Sequence, residues 1–153
     1  IRNNTGNFGG GIGAAYSWAI FDNVVINNND ALVDGGAMYI TQSNLTVSNS
    51  EIFENTASDL AGGILCYWNS NINFDHVLIH HNSSDSASAV YVLDAHPSFT
   101  NTTITDNLSN PSGQAILIED GDITISNSII WNNGPDEIDT AGICNVNINY
   151  SII

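Results

Sequence analysis

Positive charge is almost missing from this chain of 153 residues. Arg2 is its single Lys or Arg, set against 16 Asp and Glu, for a formal net charge of −15. That imbalance argues against nucleic acid as a partner, because phosphate backbones are held by Lys and Arg. It argues equally against anionic lipid headgroups. No run of 18 apolar residues occurs, so no segment reads as a helix inserted in a membrane, and no leader of secretory type is visible. Helical periodicity is missing as well: no stretch of 10–12 residues repeats its apolar positions every 3.6 residues. Cysteine is scarce, with only Cys66 and Cys144. The apolar share, 42%, is nevertheless too high for a disordered chain, and the length suffices for one domain, residues 1–153, with a buried core.

What is present is a repeat. An asparagine returns about every 26 residues, always three positions after an isoleucine: Ile1 and Asn4, Ile26 and Asn29, Ile52 and Asn55, Ile79 and Asn82, Ile104 and Asn107, Ile130 and Asn133. A second marker runs through Asn23, Asn49, His76, Asn101 and Asn127. A third is a stretch of small residues before an apolar run, as in Gly35-Gly36-Ala37-Met38 and Gly62-Gly63-Ile64-Leu65. Self-similarity at this period marks a solenoid. Between the markers lie three short stretches per repeat with alternating apolar residues, bounded by Asn, Asp, Gly or Ser, which read as strands. Examples are Leu45 to Val47 before the second marker, Val24 to Ile26 after it, and Met38 to Ile40 after the small residues.

Three strands per turn predict an all-β fold, a parallel β-helix of about six coils of 25–27 residues. Equivalent residues then stack, so isoleucine columns build the core. Both marker columns, Asn4 to Asn133 and Asn23 to Asn127, are expected to be internal amide ladders, in which each side chain bonds its own bend and the next coil. The rival leucine-rich repeat wants several Leu per unit and often a helical return; Leu is scarce here. Cys66 and Cys144, three coils apart, would be separated by roughly 14 Å along the axis. A disulfide needs Cα atoms within about 7 Å, so two free thiols are expected.

The alternation of Gly35-Gly36-Ala37-Met38 with Ile52-Phe53-Glu54-Asn55 resembles the Gly-Gly-Ala-apolar and Phe-x-x-Asn repeats of polymorphic outer-membrane proteins, with Ile in place of Phe. The stretches from Ile125 to Asn133 and from Ile148 to Ile153 resemble right-handed parallel β-helix proteins secreted by Bacteroidetes-type bacteria. The resemblance implies a right-handed helix and a secreted or cell-surface location in a bacterium. Its motifs are structural and carry no catalytic residue.

Glu54, His81 and Asp106 stack two residues after the repeated Ile, with carboxylates two coils apart near 10 Å, a separation allowed for an inverting glycosidase pair; they are weak catalytic candidates. The four histidines offer no converging zinc set, and His80 and His81 would point to opposite strand faces. Calcium is the one cofactor considered, with Glu119, Asp120 and Asp122 as candidates and Asp136, Glu137 and Asp139 as a second acidic turn. Tyr39 and Tyr91 are placed in one outward column with Cys66 between them, and Tyr16 and Trp68 two positions later on the same face. Such a row could stack on sugar rings or meet a surface partner. The expected function is a non-catalytic scaffold or adhesin of the cell surface, with polysaccharide as candidate ligand. The alternative is a polysaccharide-active hydrolase, lyase or epimerase whose catalytic groups lie partly outside these residues. The chain opens and closes inside repeat units, so it is expected to be part of a longer protein, with coil ends prone to end-to-end self-association.

Overall fold

Short β-branched runs make short strands, and residues in the left-handed conformation end or bend most of them. The computed structural model describes residues 1–109 and 113–153 and consists of strands and turns only. Three parallel sheets wrap one axis. The first face is narrow and follows the ladder asparagine: Thr5–Phe8, Asp30–Asp34, Thr56–Ala57, Ser83–Ser84 and Leu108–Ser109. The second carries Ile12–Ala15, Met38–Thr41, Ile64–Tyr67, Val90–Leu93, Gln114–Glu119 and Asp136–Ala141. The third is wide and bent, with Asn44–Phe53 and Asn71–His80 running its full width and split strands in the coils on either side. Five coils are complete, and a sixth covers two faces. The division differs from the one read in the sequence. The runs before and after the second marker form one bent sheet, and the narrow first face, only two residues wide in the middle coils, leaves too little alternation to be seen.

The core is built of columns in register. Ile26, Ile52, Ile79, Ile104 and Ile130 stack in pairs across adjacent coils and are all buried. Phe74 and Phe99 are registered and stack with ring centroids 4.7 Å apart. On the second face Ile40, Cys66, Val92 and Ile118 share an inward column.

Inside one corner lies the asparagine ladder. Each Nδ2 donates to the Oδ1 of the next coil's Asn, at 2.9 Å from Asn4 to Asn29, Asn29 to Asn55, Asn55 to Asn82 and Asn82 to Asn107, and at 2.8 Å from Asn107 to Asn133. The same Oδ1 also accepts the backbone N–H of the preceding rung, as from Asn55 to Asn82 at 3.1 Å. Glu137 closes the series, its carboxylate accepting both the N–H and the Nδ2–H of Asn133.

The second marker column is a correction. Asn23, Asn49, His76, Asn101 and Asn127 are exposed and form no internal ladder. All five have φ between +49° and +55°, and they bend the third sheet outward-side-in at each coil. Asn is the side chain that best tolerates this backbone, so the same residue type serves two unrelated purposes at two corners. The internal ladder sits one residue later and is made of hydroxyls: Ser50 Oγ accepts Val24 N–H at 3.1 Å, Ser128 Oγ accepts Thr102 N–H at 3.1 Å, and Ser151 Oγ accepts Ser128 N–H at 3.1 Å. A third ladder links Ser17, Ser43 and Ser70 between the second and third faces.

Among the described residues, Ser88 Oγ is the one buried side-chain polar atom without a hydrogen-bond partner. An unpaired buried hydroxyl costs about 1–3 kcal/mol. Ser88→Ala is therefore expected to stabilise the protein by about 1 kcal/mol, read as a rise in the denaturant midpoint at constant slope. A midpoint that falls would show that the hydroxyl has a partner.

Candidate functional site

Aromatic side chains cluster on and beside the outer surface of the second face, but not in the row expected from the sequence. Tyr39 is registered with Leu65, and Leu65 with Tyr91. Cys66 lies in the neighbouring inward column, fully buried, and burial pushes its thiol pKa up. It does not separate the tyrosines on the outer face. The physical reason is a local insertion. On the second face the register advances 26 residues from Ile40 to Cys66, and on the third face 27 from Asn44 to Asn71. The extra residue is taken up at the bend between them, where Trp68 and Asn69 both have positive φ. The glycine pairs Gly35-Gly36 and Gly62-Gly63, which look equivalent in the sequence, are one residue out of register, and matching them puts that insertion one bend too early. Both cysteines are free thiols.

Three tyrosines, Tyr39, Tyr67 and Tyr91, surround a pocket of about 150 Å³ with Leu60, Leu93 and Asp34. The pocket forms because the connection from the first face folds over the outer surface of the second. There Ala61, Leu65, Ala87 and Tyr91 make a small apolar cluster apart from the main core. Tyr91 is thus outward from the axis, as expected, yet only 6% exposed. Its O–H donates to Glu119 Oε2 at 2.8 Å, and burial, with the Glu119 carboxylate second, pushes the phenol pKa up. Burial also raises Tyr39 and the Asp34 carboxyl, which accepts Leu60 N–H at 3.1 Å. Phe8 packs on Tyr39, with centroids 5.1 Å apart.

Tyr16 and Trp68 belong to a different place. Both occupy the bend between the second and third faces, in one column with Gln42, Asp94 and Asp120, all at positive φ. A bulky side chain there is strained relative to Asn or Gly. Tyr16 is 80% exposed and Trp68 50%; Trp18, at the start of the third face, is 79% exposed. Trp68 stacks on Tyr67 with centroids 4.5 Å apart and planes at 19°. Tyr16, Trp18 and Trp68 are therefore exposed along one edge of the coils, with Gln42 between Tyr16 and Trp68, which stand two coils, roughly 10 Å, apart. The sequence reading missed Trp18, although its outward register next to Ala19 was open to the period-2 rule.

The titratable column stands where it was placed, but its purpose is local. Glu54, His81 and Asp106 are bend residues with φ +52° to +54°. Glu54 Oε2 accepts Asn28 Nδ2–H at 3.1 Å, and Asp106 Oδ1 accepts Asn132 Nδ2–H at 2.6 Å. Asn28 and Asn132 continue the same column. Nearby, the outer side of the bent third sheet forms an open groove of about 630 Å³ over four coils, lined by Asn23, Asn49, Glu51, His76, Leu78 and Asn101 among others.

The acidic turns are committed to the protein's own donors. Besides Tyr91 on Glu119, Asp120 Oδ1 accepts Ile143 N–H at 2.9 Å and Asp122 Oδ1 accepts Asn145 Nδ2–H at 2.7 Å. Glu137 ends the asparagine ladder, and Asp139 accepts Thr140 N–H at 2.8 Å. Among the described residues no three His, Cys, Asp or Glu side chains converge on a common point.

The family model described as right handed beta helix region matches residues 1–153. No curated protein and no solved structure matches the chain.

Proposed function

The chain belongs to the right-handed β-helix family, and on that premise we propose that it is a non-catalytic, secreted or surface-displayed bacterial scaffold that binds neutral polysaccharide along one ridge. The observation that carries the reading is the exposed ridge of Tyr16, Trp18 and Trp68. Large aromatic rings left in water, two of them (Tyr16 and Trp68) at positive φ, are not explained by folding, and such patches mark interaction sites. Indole and phenol rings offer flat apolar faces with a polar edge, the shape that suits the C–H face of a pyranose. The roughly 10 Å between Tyr16 and Trp68 is of the order of a disaccharide repeat. A net charge of −15 disfavours uronate polymers, hence the neutral class. Adhesion and display agree with a rigid prism whose inner polar groups are tied in ladders, leaving its outer faces to vary.

Affinity electrophoresis through gels containing neutral glucans, mannans or xylans tests this. One of these should retard the protein, and the double variant Trp18→Ala, Trp68→Ala should lose about tenfold or more in affinity, since an aromatic contact contributes about 0.5–1.5 kcal/mol per ring beyond its buried area. Retardation unchanged in the double variant, or none with any polymer, would remove the ridge from the reading. Release of reducing ends would overturn its non-catalytic part.

A further inference from the structure

Successive side chains of an extended strand point to opposite faces, which is why the sequence separates His80 from His81. The structure brings them together. His80 ends the strand Asn71–His80 with its ring outward, and His81 is the bend residue, φ +53°. The left-handed turn returns the His81 side chain to the outer side. Their Nδ1 atoms lie 2.7 Å apart, with the rings edge to face.

His80 is held twice more. Its ring stacks on Phe53 of the preceding coil, centroids 5.0 Å apart and planes within 4°, and its Nε2 lies 3.0 Å from Glu51 Oε1. A carboxylate only accepts, so Nε2 carries the hydrogen, and the Nδ1 of the neutral ring is a lone pair. The short contact then requires His81 to donate from Nδ1. Shifting that one hydrogen to Nε2 of His81 leaves two Nδ1 lone pairs facing each other across 2.7 Å. A carboxylate on the far nitrogen of an imidazole is the arrangement that orients metal-ligating histidines and raises their basicity.

We propose that His80 and His81 chelate a divalent transition metal of the zinc or copper(II) class through their Nδ1 atoms. Two imidazole nitrogens, each about 2.0–2.1 Å from one ion, stand about 3 Å apart, so the rings need to part by a few tenths of an ångström and swing so that both lone pairs turn from each other toward the ion. Imidazole selects this class over calcium and magnesium. Glu51 positions His80 and does not touch the ion. Glu54 and Asp106 flank His81 in its column and add negative field; Glu54 Oε2 accepts Asn28 Nδ2–H and Asp106 Oδ1 accepts Asn132 Nδ2–H. With no third protein ligand converging among the described residues, water fills the remaining positions, as in an exposed two-histidine chelate.

The repeat itself supplies substitutions that preserve the fold. Asn28 and Asn132 occupy the His81 position, and Thr105 occupies that of His80. Zinc chloride titrated calorimetrically into the protein, in excess magnesium chloride to mask carboxylate sites, should show one site per chain. His81→Asn and His80→Thr should each weaken it at least tenfold, and Glu51→Gln by about tenfold, all three with unchanged far-ultraviolet spectra. Zinc binding that is absent in the wild type, or that survives in His81→Asn, would overturn the assignment. The outcome is independent of the glycan ridge, which shares none of these residues.

Discussion

Asn82→Ala is expected to lower the unfolding free energy by about 3–5 kcal/mol. The Asn82 side chain is fully buried and serves five groups. Its Oδ1 accepts Asn55 N–H at 3.1 Å and Asn55 Nδ2–H at 2.9 Å, while its Nδ2 donates to Ile52 O, His80 O and Asn107 Oδ1. Alanine removes the donor and acceptor together but leaves the partners in place, walled in by the Ile column. Each orphaned buried group costs about 1–3 kcal/mol, and Asn55 N–H and Ile52 O have no water to turn to. Denaturant unfolding followed by circular dichroism measures the loss as a lower midpoint at similar slope. Asn101 provides the contrast. It is an exposed bend residue at φ +51°, so Asn101→Gly keeps the backbone permitted and should change stability by less than about 1 kcal/mol. Equal losses at the two positions would mean that the two asparagine columns are not physically different.

Gly36→Ala is expected to cost more than about 3 kcal/mol, enough to threaten folding altogether. The backbone of Gly36 is not left-handed, so the cost is one of space. A Cβ there would collide with the carbonyl oxygens of Gly62 and Thr56, with the Thr56 carbonyl carbon only 2.7 Å away. These are main-chain atoms of the next coil, held by donors such as Ala37 N–H to Gly62 O at 3.2 Å, and they cannot rotate aside as a side chain would. Gly10 and Gly62 meet similar walls. The readouts are soluble yield and thermal melting. A Gly36→Ala variant as stable as the wild type would show that neighbouring coils can part at this corner. Ser88, registered with Gly62 one coil on, already carries a Cβ, so the close approach belongs to the first coils and relaxes further along.

Much of this was legible in the residues because a solenoid writes each column many times. Ile26 through Ile130 and Asn29 through Asn133 recur often enough that one odd coil does not hide them. Three things were not legible. Asn fits both a buried ladder and a left-handed bend, so Asn23 and Asn101 look like Asn29 and Asn107 until burial separates them. The hydroxyl ladder was masked because Val24 and Val77 share its column with Ser50, Thr102 and Ser128. And a period that wanders between 25 and 27 tells how long each coil is but not at which bend the extra residue sits, which displaced Cys66 by one column.

Sequence by itself determined that this chain is an all-β parallel solenoid with isoleucine columns inside and an asparagine ladder at one corner, because those features depend only on the interval between like residues. Tertiary structure alone decided that Tyr91 is covered while Tyr16 and Trp68 meet water, and which two imidazoles meet each other. The tyrosine is covered because the connection that carries Ala61 and Ala87 folds over it, and the imidazoles meet because left-handed His81 reverses the in–out alternation that a linear reading must assume.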